Sequence, residues 1–433
     1  MSVKVLIITY YWPPAGGPGV QRWLKFVKYL PDYKVEPIVY CPENPSYPII
    51  DANLEQEISK HLTVLKLPIK EPYKFANLLS KKSSKTISSG VIPKEGNQSF
   101  IEKLLLYIRG NFFIPDARKT WVKPSVKYLS EYIQKHNIET IITTGPPHSI
   151  HLIGLALKQR LGVKWLADFR DPWTTIGYHK QLKLSKSSKD KHKGLELEVL
   201  NTADQIIVTS ETTQKEFVLK TNKPINVITN GYDNHNVLRP DKDSKFTLSH
   251  VGSLLSERNP KALWKALQEL ISENEEFKKN FQLKLIGVLS DDVLESIYAH
   301  DLKSFVNIIV YVSHEEALKA QMQSRVLLLI EIDSEDTKAI IPGKLFEYMA
   351  SETPILAIGP DGSDIESIIK STNTGHYFNY KQKFDIKSQI LAYFEAHKNN
   401  ALTTHPIGLN QFSRKELTSR LAEIILENDE MNA

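Results

Sequence analysis

The strongest constraint on this chain is a pattern that occurs twice: short apolar runs, each closed by glycine, proline or polar residues, alternating with stretches of helical period. The first series is VKVLIIT (3–9), EPIVYC (36–41), IETIITTG (138–145), VKWLADF (163–169), ADQIIVTS (203–210) and INVITNG (225–231). The second is FTLSHVGS (246–253), FQLKLIGV (281–288), VNIIVYVS (306–313), RVLLLIEI (325–332) and TPILAIG (353–359). Runs of this kind mark strands buried on both faces. Helical stretches such as 21–30, 260–272 and 314–324 separate them. Strands alternating with helices predict parallel, doubly wound sheets, so the fold class is α/β.

A chain of 433 residues exceeds one average core of about 150 residues. The polar, proline-bearing stretch NHNVLRPDKDSKF (234–246) predicts the linker between two Rossmann-like halves. We assign 1–235 to an N-terminal domain and 236–408 to a C-terminal domain. Residues 409–433 hold the amphipathic QFSRKELTSRLAEIILEN, a terminal helix expected to cross back to the first domain. Ligands in such folds bind beyond the carboxyl ends of the strands, so a cleft between facing halves is the expected site.

Composition narrows the partners. The formal net charge of +5 is mild for this length and argues against a nucleic-acid binder. The one cysteine, Cys41, excludes an intramolecular disulfide and multi-cysteine metal sites, which points to a reducing compartment and a cytoplasmic location. The opening run lacks a basic leader and a small-residue cleavage site, and reads as a first strand. No window approaches the 18 or so uninterrupted apolar residues of a membrane-spanning helix, and peripheral membrane contact stays open. Residues 180–193 carry six lysines and read as a solvated, mobile loop, with a membrane-facing or anionic-acceptor patch as the alternative.

Several strand ends carry candidate chemistry. In the first half PPAGGPG (13–19) follows the first strand, TTGPPHSIH (143–151) sets His148 at a strand end, and ADFRDPW (167–173) supplies Asp168, Arg170 and Asp171. In the second half VGSLLSERNPKALW (251–264) places Arg258 just ahead of a helix beginning near Pro260. Lys344 opens another helix, in IIPGKLFEYMASETPILAIG (340–359). A lysine there opposes the helix macrodipole unless an anion sits beside it. Two helix starts, each with a cation, suit a diphosphate leaving with negative charge. Glu347, one turn along, is placed to accept hydrogen bonds from a ribose diol.

The order of PPAGGPG, PPHS, TNGYD (229–233), VGSLLSERNP and GKLFEYMASETPILA resembles the retaining nucleotide-sugar glycosyltransferases of family 4, the group 1 type with the GT-B fold. The resemblance runs over nearly the whole chain and is strongest from 246 to 359. It implies transfer of a sugar from a nucleotide-diphosphate donor to a saccharide or lipid-linked acceptor, in cell-surface polysaccharide or glycan assembly, without a metal or other cofactor. It implies that Arg258 and Lys344 hold the donor diphosphate, with His148 near the transferred sugar, as the catalytic set. Glu347 would bind the ribose, the backbone near Val312 the base, and Gly16 and Gly17 would lie beneath the phosphates. Asn230, Gly343 and Leu345 complete the donor set; Asp168, Arg170 and Asp171 are assigned to the acceptor side. The inner membrane face is compatible with such an acceptor.

Two positions depart from the family pattern. Ala339 stands where a first motif glutamate is expected, eight positions before Glu347, so sugar contacts fall to the backbone of 339–343 or to Asp336. Asn259 stands where many members carry lysine, which leaves the second positive charge to Lys344 or Lys261. The competing readings are a nucleotide-sugar epimerase of the same fold and a non-catalytic nucleotide- or sugar-binding protein.

Overall fold

A computed structural model describes residues 2–71, 100–180, 182–233, 239–310 and 312–427. The chain forms two compact units, Met1–Asn230 with Arg414–Ala433, and Gly231–Ser413. Part of the expected linker, 234–238, lies outside the described residues.

The first unit is built on seven strands: β1 (Val3–Thr9), β2 (Val35–Pro42), β3 (Thr63–Leu67), β4 (Thr140–Gly145), β5 (Lys164–Phe169), β6 (Gln205–Val208) and β7 (Ile225–Val227). They form one parallel sheet in the order β3-β2-β1-β4-β5-β6-β7. Strand β1 lies between β2 and β4, with Val3 opposite Val35 and Val5 opposite Thr140. The chain order reverses there, and loops leaving β1 and β4 diverge to opposite faces. Alternate β1 residues supply two cores: Leu6 and Ile8 face one, Val5 and Ile7 the other. That second core also holds Trp23, Leu24 and Phe26 of the helix Pro18–Tyr29, and Leu417, Leu421 and Ile425 of the helix Arg414–Leu426.

The second unit repeats the plan with six strands: β8 (Phe246–Val251), β9 (Phe281–Ile286), β10 (Val306–Ile309), β11 (Val326–Ile330), β12 (Ile355–Ile358) and β13 (Gly375–Phe378). Their order, β10-β9-β8-β11-β12-β13, is again parallel and again reverses, between β8 and β11. Both units are thus doubly wound α/β folds.

The apolar runs marked every strand except β3 and β13. Lys66 interrupts TVLKL, and GHYF opens with glycine and histidine, so neither shows a continuous apolar run, whereas the equally open edges β7 and β10 lie within apolar runs. The lysine-rich tract differs more. Instead of a loop throughout, it enters a helix, Lys186–Thr202. Ser185 caps that helix by accepting from the Ser188 N–H, and the buried stripe is Ser188, His192, Glu196, Val199 and Leu200. Three of these five residues are polar, which hides the helical period from a hydrophobicity reading. Among the described residues no helix is long and apolar enough to cross a membrane.

Candidate functional site

The residues of greatest chemical interest in the second unit gather where its strand order reverses. Strand β8 ends in His250 and Val251, and Gly252 then turns the chain with φ +118. The Gly252 N–H donates to the Ile286 carbonyl at 2.7 Å. Gly287, also at positive φ, approaches so closely that a Cβ there would lie 2.5 Å from the Gly252 oxygen. Glycine at both positions is what lets these two strand ends meet.

The helix Gly343–Ala350 is fixed onto this turn. Leu345, Phe346 and Met349 are buried, and the Tyr348 hydroxyl both accepts from the Val251 N–H (2.9 Å) and donates to its carbonyl (3.2 Å). This anchoring aims the Lys344 ammonium over Gly252, where a Cβ would come within 3.1 Å of Nζ. Leu345 offers no free amide, because its N–H donates to the Pro342 carbonyl at 3.0 Å.

His250 is fully buried, and its Nδ1 lies 3.0 Å from the Leu328 carbonyl. A carbonyl only accepts, so Nδ1 carries the proton and Nε2 is an acceptor. That Nε2 stands 3.4 Å from Lys344 Nζ. Burial, reinforced by the neighbouring ammonium, pushes the His250 pKa well below its ordinary value and keeps the ring neutral.

Arg258 and Glu331 complete the group. Glu331 follows β11, is 4% exposed, and accepts through Oε2 from Arg258 Nη2 at 3.2 Å. Its backbone is held on both sides, N–H to Ile358 (2.8 Å) and carbonyl from the Tyr380 hydroxyl (2.6 Å). Arg258 Nε and Glu331 Oε1 are buried with no hydrogen-bond partner. Burial pushes the Lys344 pKa down to about 8, with Glu331 opposing the shift and the Arg258 cation adding to it. Two cations therefore share one buried carboxylate at the start of a helix, an arrangement with the electrostatic character of an anion site.

Around this group, Glu347 is half-buried and accepts from Gln321 Nε2 at 3.3 Å. Val312 precedes Ser313, which caps the helix His314–Gln323 in a capping box with Glu316. Asn259 brings a tether where a charge was sought: its Oδ1 accepts from Trp264 Nε1 at 2.7 Å, which ties the loop to the helix Lys261–Glu273. Lys261 is exposed on that helix's first turn. Ala339 is half-buried in the loop between β11 and Pro342, and Asp336 lies in its short 3-10 turn, Glu335–Thr337.

The first unit holds the remaining candidates. Gly17, at φ +105, caps the helix Pro18–Tyr29, and Gly16 is pressed against Ile49. At Gly19 a Cβ would sit 2.1 Å from Arg170 Nη1, so the glycine loop is moulded around that guanidinium. Arg170 donates through Nε to the Gly145 carbonyl (3.2 Å) and through Nη2 to that of Pro146. His148 is buried beneath a parallel Trp173 ring 4.9 Å away, with neither ring nitrogen bonded and its pKa driven well down by burial. Asp168 is fully buried and saturated by Arg22 (3.0 Å), Trp23 Nε1 (2.8 Å) and Thr144 Oγ1 (2.8 Å). Asp171 is half-buried, and burial raises its pKa against the pull of Arg170. Asn230 is the last residue of this stretch of the unit.

The structure thus brings Arg258, Lys344, Gly343 and Glu347 together in one unit, and Gly16, Gly17, His148, Arg170 and Asp171 in the other. His250 and Glu331 escaped the sequence reading. The signal was present for Glu331, a lone polar residue closing the apolar run LLLIE, and weaker for His250, which shares its strand with Thr247 and Ser249.

Against known families, the profile described as Glycosyltransferase Family 4 matches residues 90–235. Over that segment the chain is similar to a glycosyltransferase family 4 domain. His148, Asp168, Arg170 and Asp171 fall within that glycosyltransferase segment, whereas Arg258, Glu331 and Lys344 lie outside it. No curated protein sequence matches the chain. Among solved structures, an apo lipopolysaccharide outer core galactosyltransferase, WaaB, superposes with a TM-score of 0.58 at 13% identity, covering 98% of this chain and 99% of that one. HepE from Anabaena in complex with UDP gives 0.58 at 12% identity, with 98% and 95% covered. A putative UDP-N-acetylglucosamine 2-epimerase from Listeria monocytogenes gives 0.55 at 11%, with 100% and 98% covered. At these identities the likeness is one of fold, and the glycosyltransferase has the GT-B fold.

Proposed function

We propose that this glycosyltransferase takes its sugar from a nucleotide-diphosphate donor and passes it to a saccharide or lipid-linked acceptor with retention of configuration. The observation that carries the reading is the convergence of Arg258 and Lys344 near two helix starts, with the one buried carboxylate, Glu331, bonded to Arg258 and within the electrostatic reach of Lys344. The UDP bound by HepE, a protein of the same fold, supports a nucleoside diphosphate as the anion. Glu347 binds the ribose, and the backbone near Val312 meets the base.

In the reaction the bond from the anomeric carbon to the diphosphate oxygen breaks as Arg258 and Lys344 take up the developing charge. No divalent cation is needed for that stabilisation. The acceptor hydroxyl attacks the oxocarbenium-like sugar from the same face, and its proton passes to the departing phosphate. His148, held neutral by burial, and Asp171 bind hydroxyls of the sugar or acceptor. Asp168, saturated within the fold, serves the scaffold.

Peripheral membrane contact suits a lipid-linked acceptor in cell-surface glycan assembly. Leu104, Tyr107 and Phe112 are exposed on the helix Phe100–Phe112. That helix is tied to the basic tract by Asn111, which accepts from the Ser185 N–H at 2.8 Å. Lys183, Lys186, Lys189, Lys191 and Lys193 are all exposed beside it.

Isothermal titration with UDP, GDP and ADP tests the donor site, and Lys344→Met is expected to weaken the preferred ligand by roughly 10- to 100-fold, the loss of one charge-assisted contact. Absence of binding by all three would remove the donor reading. Product analysis then separates transfer to an acceptor from release of an epimerised sugar.

A further inference from the structure

We infer that His250 is a positioning residue for Lys344, supplying a neutral acceptor that aims the ammonium over Gly252 without cancelling its charge. The inference rests on the reading of Lys344 as a ligand of the donor diphosphate.

The argument begins with what Lys344 touches. Among the described residues no carboxylate lies within ion-pair distance of it, and the atom its ammonium meets is His250 Nε2 at 3.4 Å. An ammonium has three N–H donors. Had Glu331 or Glu347 taken that place, the pair would be neutral and of little use to an anion. A histidine ring accepts one N–H and leaves the full positive charge and two donors directed outward.

That arrangement needs the ring in one tautomer and uncharged. The Leu328 carbonyl, 3.0 Å from Nδ1, fixes the proton on Nδ1. Complete burial inside β8, with Lys344 and Arg258 both nearby, keeps a second proton off. The groups facing Lys344 are then His250 on β8, Arg258 in the following loop, Glu331 beyond β11 and Glu347 on its own helix. Only His250 is an uncharged acceptor. Gly252 has no Cβ to push Nζ off the ring. A histidine is costly to bury, and here, near the end of β8, its Nε2 is turned to Lys344, with the Ser253 backbone also bonded to the ring.

Two substitutions separate the ring's roles. His250→Asn keeps a donor near the Nδ1 position for Leu328 and loses the acceptor toward Lys344. His250→Gln reaches to the Nε2 position with its amide oxygen. With inorganic pyrophosphate and UDP as titrants at pH 7, His250→Asn is expected to bind about tenfold more weakly than wild type, and His250→Gln to recover most of that loss. A residue needed only for packing would lower the melting temperature of both variants and leave both affinities alike, and that result overturns the inference while the donor reading stands. Wild-type protein that binds neither titrant overturns both together. Should the variants not fold, imidazole nitrogen NMR of the wild-type protein gives the same decision. A buried ring of fixed Nδ1–H tautomer should show its Nε2 resonance move on Lys344→Met and on adding pyrophosphate, and an unmoved resonance contradicts the proposed contact.

Discussion

Arg258 gives one guanidinium N–H to Glu331 at 3.2 Å, while the other carboxylate oxygen of Glu331 and the Nε of Arg258 have no partner among the described residues. The pair is therefore half-made. In this state Glu331 acts as an internal anion that holds Arg258 at the strand end, and a bound diphosphate competes with it for the same cation.

Replacing that carboxylate should strengthen anion binding. Removing one negative charge a few ångströms from the site, at an effective dielectric near 20, is worth on the order of 1 to 3 kcal/mol. Glu331→Gln is thus expected to bind pyrophosphate about tenfold more tightly by calorimetry. Unchanged affinity would show that Glu331 lies outside the field of the site.

The lowered pKa of Lys344 gives a pH dependence with two opposite signs. Its folded value is near 8 and its ordinary value 10.5, so between these the unfolded chain binds more protons than the folded one. Stability without ligand should rise with pH across that window, relative to Lys344→Met, as the burial penalty of the ammonium is relieved. Nucleotide affinity should fall over the same range, because the anion needs the charged form. Denaturant titrations and calorimetry at pH 7 and pH 9.5 check both signs.

Asp168 should behave as scaffold. Asp168→Asn leaves the buried Arg22 guanidinium without its carboxylate, a change that costs about 3–5 kcal/mol for buried pairs. The melting temperature should drop markedly while pyrophosphate binding to the folded protein stays as in wild type. A variant of normal stability that fails only in transfer would instead make Asp168 an acceptor ligand.

The exposed apolar residues and the lysines make a separable prediction. Wild-type protein should sediment with vesicles of phosphatidylglycerol and far less with phosphatidylcholine, with binding weakened by salt. Lys183→Glu with Lys186→Glu should abolish sedimentation, and Phe112→Ser should reduce it. Equal binding to both lipids would exclude a role for the lysines.

Much of this was legible in the sequence, for identifiable reasons. Strands buried on both faces write themselves as apolar runs, so β1, β4 and β11 could be marked, while β3, interrupted by Lys66, and β13, opened by Gly375 and His376, could not. Lys344 stood out because it opposes a helix dipole, a conflict visible without coordinates. His250 and Glu331 were hidden by their strands: a polar residue closing an apolar run is common, and only the fold shows which cations it meets. The first two turns of the helix Lys186–Thr202 read as loop because they are rich in lysine and serine and bury Ser188 and His192 in place of aliphatic residues.

The helix Arg414–Leu426 lies against Pro18–Tyr29 in the core of the first unit, although the whole of Gly231–Ser413 intervenes in the chain. On a ribosome, then, the unit begun first is finished last. Trp23, Leu24 and Phe26 wait with an open flank until Leu417, Leu421 and Ile425 emerge, and by that time the second unit has been synthesised in full. The order of synthesis thus makes the second unit the first that can be complete.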